Sequence, residues 1–222
     1  MSKSVDWCIK NAYLAATRKA AAPAVGTTKY NALLGLVDLM QKEWADTEGV
    51  EWNSLYTLVS NGTLSATDTF DLDDTIQYIS KREGDYGLAT NGTNTTTYQI
   101  VTPNQLYGYR DQAVVAQVGQ TLKFSKAFTS TSGVFGYSFK IPAIVYPDDI
   151  TSGTQEVQVD DPLWLVYKVA AEFVSADLVK NYLEPRLTAK ADKIMMKMKQ
   201  ANTGQYEVVD TNWRPAGSDG WD

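Results

Sequence analysis

From Val5 to Ala16 the apolar positions Val5, Cys8, Ile9, Ala12 and Ala16 recur at three- and four-residue intervals, which places them on one stripe of a helix. Ala22-Pro23 and Gly26 stop that pattern. Thr27 or Thr28 then caps a second helix whose seam is Leu33, Leu36, Val37, Met40 and Trp44, and Gly49 supplies its C-terminal break. Residues 1–49 are thus expected to form a helical hairpin.

At Val50 the period changes. "VEWNSLYTLV" and "ATDTFDLDDTIQYISKREG" alternate apolar and polar residues, and "TTTYQIVTPNQLYGYR", "AVVAQVG", "QTLKFSKAF" and "GYSFKIPAIVYP" continue the alternation between glycine and proline breaks. Asn61-Gly62 and Asn91-Gly92 are expected as turns, and "TNGTNTTT" and "TSTSG" as exposed loop tips. Residues 50–158 therefore predict roughly five to seven short strands.

The helical period returns in "DDPLWLVYKVAAEFVSADLV". Asp160 or Asp161 caps the helix and Pro162 takes its first position, where a missing N–H costs nothing. Leu163, Val166, Tyr167, Ala170, Phe173 and Val174 make one stripe, while Trp164, Leu165, Val169 and Ala171 spread apolar surface over the opposite side. Both faces need cover, so Trp164, Leu165 and Val169 are candidates for a subunit interface. Pro185 breaks or kinks this helix near Leu183. A last amphipathic helix follows, with Leu187, Ala191, Ile194, Met195 and Met198 on one side and Lys190, Lys193 and Lys197 on another. Beyond Gly204 no period is long enough to fold alone, yet Tyr206, Val208, Val209, Trp213 and Trp221 dot the segment, as in a tail that docks on a partner.

The expected class is α+β: a helical bundle of residues 1–49 and 159–204, an inserted antiparallel β region at 50–158, and an extended tail at 205–222. With 222 residues and 44% hydrophobic content, such a chain hides roughly 70% of its unfolded surface without metal or disulfide. One cysteine precludes an internal disulfide, and the absence of histidine removes the commonest general base and zinc ligand. A net charge of −6 argues against a nucleic-acid surface as the main partner. No run approaches the roughly 20 apolar residues of a membrane span, and "MSKSVDWCIKNAY" turns polar too early for a secretory signal, so the expectation is a protein acting inside the cell that makes it.

Chemistry-bearing motifs are sparse. Asp73-Asp74, Asp148-Asp149 and Asp160-Asp161 could in principle run acid and base catalysis, but each pair stands at a turn or helix start, where aspartate caps backbone N–H groups. No nucleophile elbow, zinc helix, P-loop or dinucleotide fingerprint occurs, so no catalytic residue, metal ligand or cofactor is assigned, and the protein is not expected to be an enzyme. Cys8 reads as a small buried hydrophobe. The sequons at Asn61, Asn91 and Asn94 read as turn chemistry. The lysine row offsets a helix dipole or faces an acidic partner, and most aromatics fall on strand alternations or helix seams that packing explains.

The order of parts resembles the head-to-tail adaptor, or connector, proteins of tailed bacteriophages. The likeness spans residues 5 to 204 in layout: the hairpin, Trp52 in "EGVEWNSLY", "GTLSATDTFDLDDTIQYISK", the "QTLKFS" to "GYSFKIPAIVYP" strands, "VQVDDPLWLVYKVAAEFVSADL" and a Met/Lys-rich final helix. Its wording is specific only at "TDTFDLDD" and "DDPLWLVYKVAAEF". The resemblance implies a ring, commonly dodecameric, in the virion neck between portal and tail, made in the host cytoplasm, with DNA passing through the lumen and tail or neck proteins docking below. It puts portal docking on residues 205–222, including Tyr206, Val208, Val209, Trp213, Arg214 and Trp221, and tail-side contacts on the β region. The loops "TNGTNTTT" and "TSTSGVFG" are not fixed by the family pattern. Two other readings compete: a carbohydrate- or receptor-binding virion module using the tyrosines of the β region, and a hydrolase using paired aspartates.

Overall fold

Ser4 starts the chain's first helix by accepting a hydrogen bond from the Trp7 N–H at 3.3 Å, and the apolar stripe that follows is buried over helix α1, Val5–Thr17. The computed structural model describes residues 3–19, 21–63, 69–80, 82, 84–109, 112–125, 136–177 and 179–203. Thr27, not Thr28, caps α2, Thr28–Ala45, and Leu33, Val37, Met40 and Trp44 form its buried seam. Asp161 caps α4, Pro162–Ser175, by accepting from Leu163 N–H at 2.9 Å, with Pro162 at the first position. Its neighbour Asp160 is hydrogen-bonded to Ser54, and burial raises its carboxyl above the ordinary value. Pro185 does not break α4, which already ends at Ser175; it lies in the first turn of α5, Glu184–Thr203, where its ring fits the helix.

Between the helix pairs lie β1 Tyr56–Thr63, β2 Thr69–Asp71, β3 Ile76–Ile79, β4 Tyr86–Thr90, β5 Thr95–Ile100, the short helix α3 Pro103–Leu106, β6 Val114–Val118, β7 Thr121–Phe124 and β8 Ser138–Val145. They form one eight-stranded sheet in the order β1-β8-β4-β5-β6-β7-β2, with β3 also pairing to β8, and the sheet curls into a half-barrel. The expected helical bundle with an antiparallel insertion is therefore corrected to a sheet-dominated fold. The β5–β6 pair is parallel, because the connection carrying α3 brings the chain back to start a new strand in the same direction. Local alternation announces strands but not their partners, and the pairings of β8 with β1 and of β2 with β7 join segments far apart in sequence. Asn61-Gly62 is not a turn but part of β1, beside a register shift between Ser60 and Thr63. Asn91 does make a turn, accepting from the N–H groups of Thr93 at 3.0 Å and Asn94 at 2.8 Å between β4 and β5. The segment "TSTSG" lies outside the described residues, as does the tail from residue 204.

β8 holds the sheet together: it pairs along one side with β1 and along the other first with β4 and then with β3. It nevertheless contains Pro142, which has no N–H to donate. The Pro142 carbonyl accepts from Ser80 N–H at 3.0 Å. In an extended strand a residue's N and O point to the same side, so the missing donor faces the interval where β4 gives way to β3, and no ladder bond to β1 is lost. Inside the curl, Tyr98, Phe124 and Phe139 pack edge to face, with centroids 5.0 Å apart for the two phenylalanines and 5.4 Å for Tyr98 and Phe124. The Phe139 ring lies across β4 at Gly87, where an added Cβ would stand 2.7 Å from the ring.

A second core lies between sheet and helices, where Ile144 of β8, Trp52 and Leu55 join the apolar faces of α1, α2, α4 and α5. Trp44 and Trp52 stack at 4.8 Å, and Trp52 Nε1 donates to the Trp44 carbonyl at 2.8 Å. The connection from β8 to α4 is fastened to both N-terminal helices. Val5 and Asp6 N–H donate to Gln155 and Gly153 carbonyls at 2.8 Å. Ile150 N–H donates to Asp38 at 2.9 Å, and buried Gln41 donates to the Asp148 carbonyl and accepts from Gln158 N–H. Tyr30 donates its hydroxyl to Asp6 at 2.6 Å directly over Gly153, leaving no room there for a methyl group.

Burial raises the phenols of Tyr30, Tyr56 and Tyr98 to about 12, helped at Tyr30 by Asp6 and at Tyr56 by Asp85. An unfolded tyrosine releases its proton near pH 10, whereas the folded one holds it, so the folded state binds more protons in between and stability falls as pH rises from about 10 toward 12. For Tyr98, which is fully buried, the slope reaches up to ~1.4 kcal/mol per pH unit. Urea midpoints measured between pH 9 and 11.5 are expected to drop steeply above pH 10, with a shallower drop in Tyr30→Phe; a flat profile would show that these phenols are not held protonated by the fold.

Candidate functional site

The three interface candidates of the sequence lie inside the protomer. Trp164 is 3% exposed, and Leu165 and Val169 are fully buried. Their cover comes from α1, α2 and α5, which pack around α4, so they offer no apolar surface to a neighbour. Helical periodicity showed two greasy faces on α4 but could not say whether the second was covered by this chain or by another. The large apolar residue that α4 leaves open is Leu163, at 45% exposure.

Leu163 lies in a groove of about 400 Å³ between α1, α4 and the start of α5. Leu187 and Val166 line it as buried residues, and Leu14 of α1 and Leu163 of α4 add exposed apolar surface. Arg18, Arg186 and Lys190 also line it. Lys190 sits 4.8 Å over the ring of Tyr167, a cation–π contact that holds its ammonium against the groove wall. Arg18 and Arg186 are exposed and form no ion pair with a described carboxylate, in contrast to Lys42, which bridges Asp38 at 2.8 Å and Asp149 at 2.6 Å. The groove therefore combines apolar walls with uncompensated positive charge, on a chain whose net charge is −6.

Arg18 adds a conformational observation. It ends α1 with φ of 59°, and its N–H donates to the Leu14 carbonyl at 2.8 Å. That left-handed cap is the ordinary place for glycine; an arginine there costs on the order of 1 kcal/mol. Among the described residues it is the only one other than glycine with positive φ. The chain thus keeps a cation beside the groove at a position where backbone energetics favour another residue.

The far end of α5 is anchored by polar contacts. Asn202 donates to the Glu51 carbonyl at 2.9 Å and accepts from Asn53 N–H at 3.3 Å. Glu51 in turn accepts from the Ser80 hydroxyl at 2.9 Å and is paired with Arg82 at 3.4 Å, whose guanidinium stacks over Tyr56 at 4.3 Å. This cluster fixes the end of α5 against the loop before β1. The tail candidates Tyr206, Val208, Val209, Trp213, Arg214 and Trp221 lie outside the described residues.

The paired aspartates are dispersed rather than gathered. Asp73 accepts from Thr75 N–H and hydroxyl at 2.9 and 2.8 Å, which lowers its carboxyl, Asp149 pairs with Lys42, and Asp161 caps α4. Among the described residues no group of three or more Cys, Asp or Glu side chains is placed to hold a metal ion. Cys8 is fully buried, and burial pushes its thiol up to about 12. Lys193 and Lys197 are solvent-exposed on α5. Sequence reading missed Leu14, Arg18, Leu163 and Arg186 as a group, because α1 and α5 are brought together only by packing on α4. The available signal was Leu183, Arg186, Leu187 and Lys190, spaced three and four apart with mixed character.

Replacing Arg18 by Gly is expected to raise thermal stability by roughly 1 kcal/mol, by relieving the left-handed cap. Calorimetry checks this, and an unchanged or lower midpoint would mean that Arg18 contributes folding energy that outweighs its backbone strain.

Among the described residues no helix is long and apolar enough to cross a membrane. Compared with known proteins, the chain matches no family model and no curated protein.

Proposed function

We propose that the protein is a structural subunit of a virion neck: a head-to-tail adaptor that closes into a ring between portal and tail, with DNA passing through the lumen. The observation that carries this reading is the groove between α1, α4 and α5. Its apolar walls and two unpaired arginines are left uncovered by the rest of the described chain, as a surface that an assembly covers would be. A ring joins unlike faces of successive subunits, so each protomer must present an acceptor and a donor, and a groove on the helical layer supplies an acceptor.

Two further features support the reading. The protein's excess of acid suits a conduit wall, because each phosphate neutralised by a wall would bind DNA and slow its passage. The rigid attachment of the helices to the sheet, through Trp52, Ile144 and the stapled connection before α4, suits a subunit that transmits load rather than one that closes on a small ligand. Residues 205–222 serve assembly in this reading, not the protomer's own core.

Electron microscopy of the protein mixed with the portal of the same virion tests it. Rings stacked coaxially on the portal are expected, with loss of stacking in a Leu14→Lys, Leu163→Lys variant that keeps its far-ultraviolet spectrum. Particles that ignore the portal at every salt concentration would overturn the proposal.

A further inference from the structure

The groove and the tail are complementary in chemistry. Residues 204–222 carry Glu207, Asp210, Asp219 and Asp222 against the single cation Arg214, with Tyr206, Val208, Val209 and Trp213 interleaved. The groove offers the converse: exposed Leu14 and Leu163 for apolar side chains, and Arg18, Arg186 and Lys190 for acids. Arginine beside an apolar wall suits a carboxylate next to an aromatic, because its planar guanidinium forms paired hydrogen bonds and is only weakly hydrated. Helix α5 as a whole is positive, with Arg186, Lys190, Lys193, Lys197 and Lys199 against Glu184 and Asp192.

Geometry separates donor from acceptor. The described chain ends with α5 at Thr203, where Asn202 is held on Glu51 and Asn53, while the groove lies at the opposite end of α5, at Arg186, Leu187 and Lys190. From Leu187 to Thr203 the helix rises about 24 Å. An extended chain from Thr203 to Trp213 spans about 33 Å, longer than that stretch of helix. Root and groove at opposite ends of one helix fit a heterologous, head-to-tail contact, whereas docking on the same chain demands a reversal after Thr203.

We infer that the acidic, aromatic tail of one copy, through Tyr206 to Trp213, docks in the α1–α4–α5 groove of the adjacent copy and straps the ring closed. This rests on the ring reading and names the partner of the tail within it: a second copy of this chain, not the portal. Coupling one strap to each groove makes every interface identical, and a closed ring leaves no groove empty. The strap also explains why Arg18 is tolerated in a left-handed cap, since its charge faces the neighbour's acids.

Two full-length variants test this, Leu163→Cys in the groove and Asn212→Cys beside Trp213. The native thiol of Cys8 is fully buried with its pKa pushed up to about 12, so it stays silent toward a short bismaleimide. Mixing the two single variants should give covalent dimers. Arg18→Glu with Arg186→Glu in the groove chain should cut the yield about tenfold or more by opposing like charges, and Glu207→Arg with Asp210→Arg in the tail chain should restore it. No mixed dimer, or a crosslink only when both cysteines are on one chain, overturns the inference. Micrographs of the same mixture separate the two levels: rings without mixed dimers remove the strap and leave the ring, whereas solitary particles without mixed dimers remove both.

Discussion

Helix α4 can be satisfied only by being covered on both sides, and much of the rest of the protein is arranged to do that. Its apolar residues occupy most of its circumference, so leaving either side in water would forgo roughly 1.5–3 kcal/mol for each large side chain left uncovered. Helix α1 covers one part, with Tyr13 meeting Phe173 edge to face at 6.1 Å. Helix α2 covers another and adds the ion pair of Glu43 with Lys168 at 2.9 Å. Helix α5 covers a third through Leu187, Ala191 and Met198. Because these helices come from both ends of the sequence, burying α4 forces the chain's beginning and end together.

That constraint reaches the sheet through the segment between β8 and α4. The segment is tied to α1 by backbone hydrogen bonds at Val5 and Asp6 and to α2 by the side chains of Asp38 and Gln41, so the position of α4 is set by hydrogen bonds as well as by packing. Ile144, near the end of β8, enters the same core. The strand that carries most of the sheet's pairing is thus also the one that delivers the chain to α4. The groove bounded by α1, α4 and α5 lies where α1 ends at Arg18 and where α4 and α5 begin.

The sequence was most legible where the signal was local. Thr27, Asp161 and Pro162 mark helix starts by chemistry within a few residues, and the α1 and α2 seams follow from period alone. Pro185 was misread for the same reason: a proline disfavours a helix interior and favours a first turn, and only the length of α4 decides which applies. The architecture was least legible. Parallel pairing of β5 with β6, and the placement of Pro142 between two partners of β8, depend on contacts that no local pattern encodes. The interface candidates Trp164, Leu165 and Val169 show the same limit, since a buried residue and an interface residue share one pattern until the neighbours are known. Lys190 stands out in the lysine row, but the groove arginines do not, because Arg18 and Arg186 are distant in sequence and meet only through α4.

In the proposed reading, a protomer with an uncovered cationic groove and an acidic segment after α5 is completed by other copies of the chain. The measurement that bears most directly on this is native mass spectrometry of the unmodified protein over a wide concentration range. The account predicts a single closed species at one integer multiple of the protomer mass, in equilibrium with protomers and with few intermediates. A solitary protomer at every concentration, or an open series of multiples without a preferred number, would contradict it.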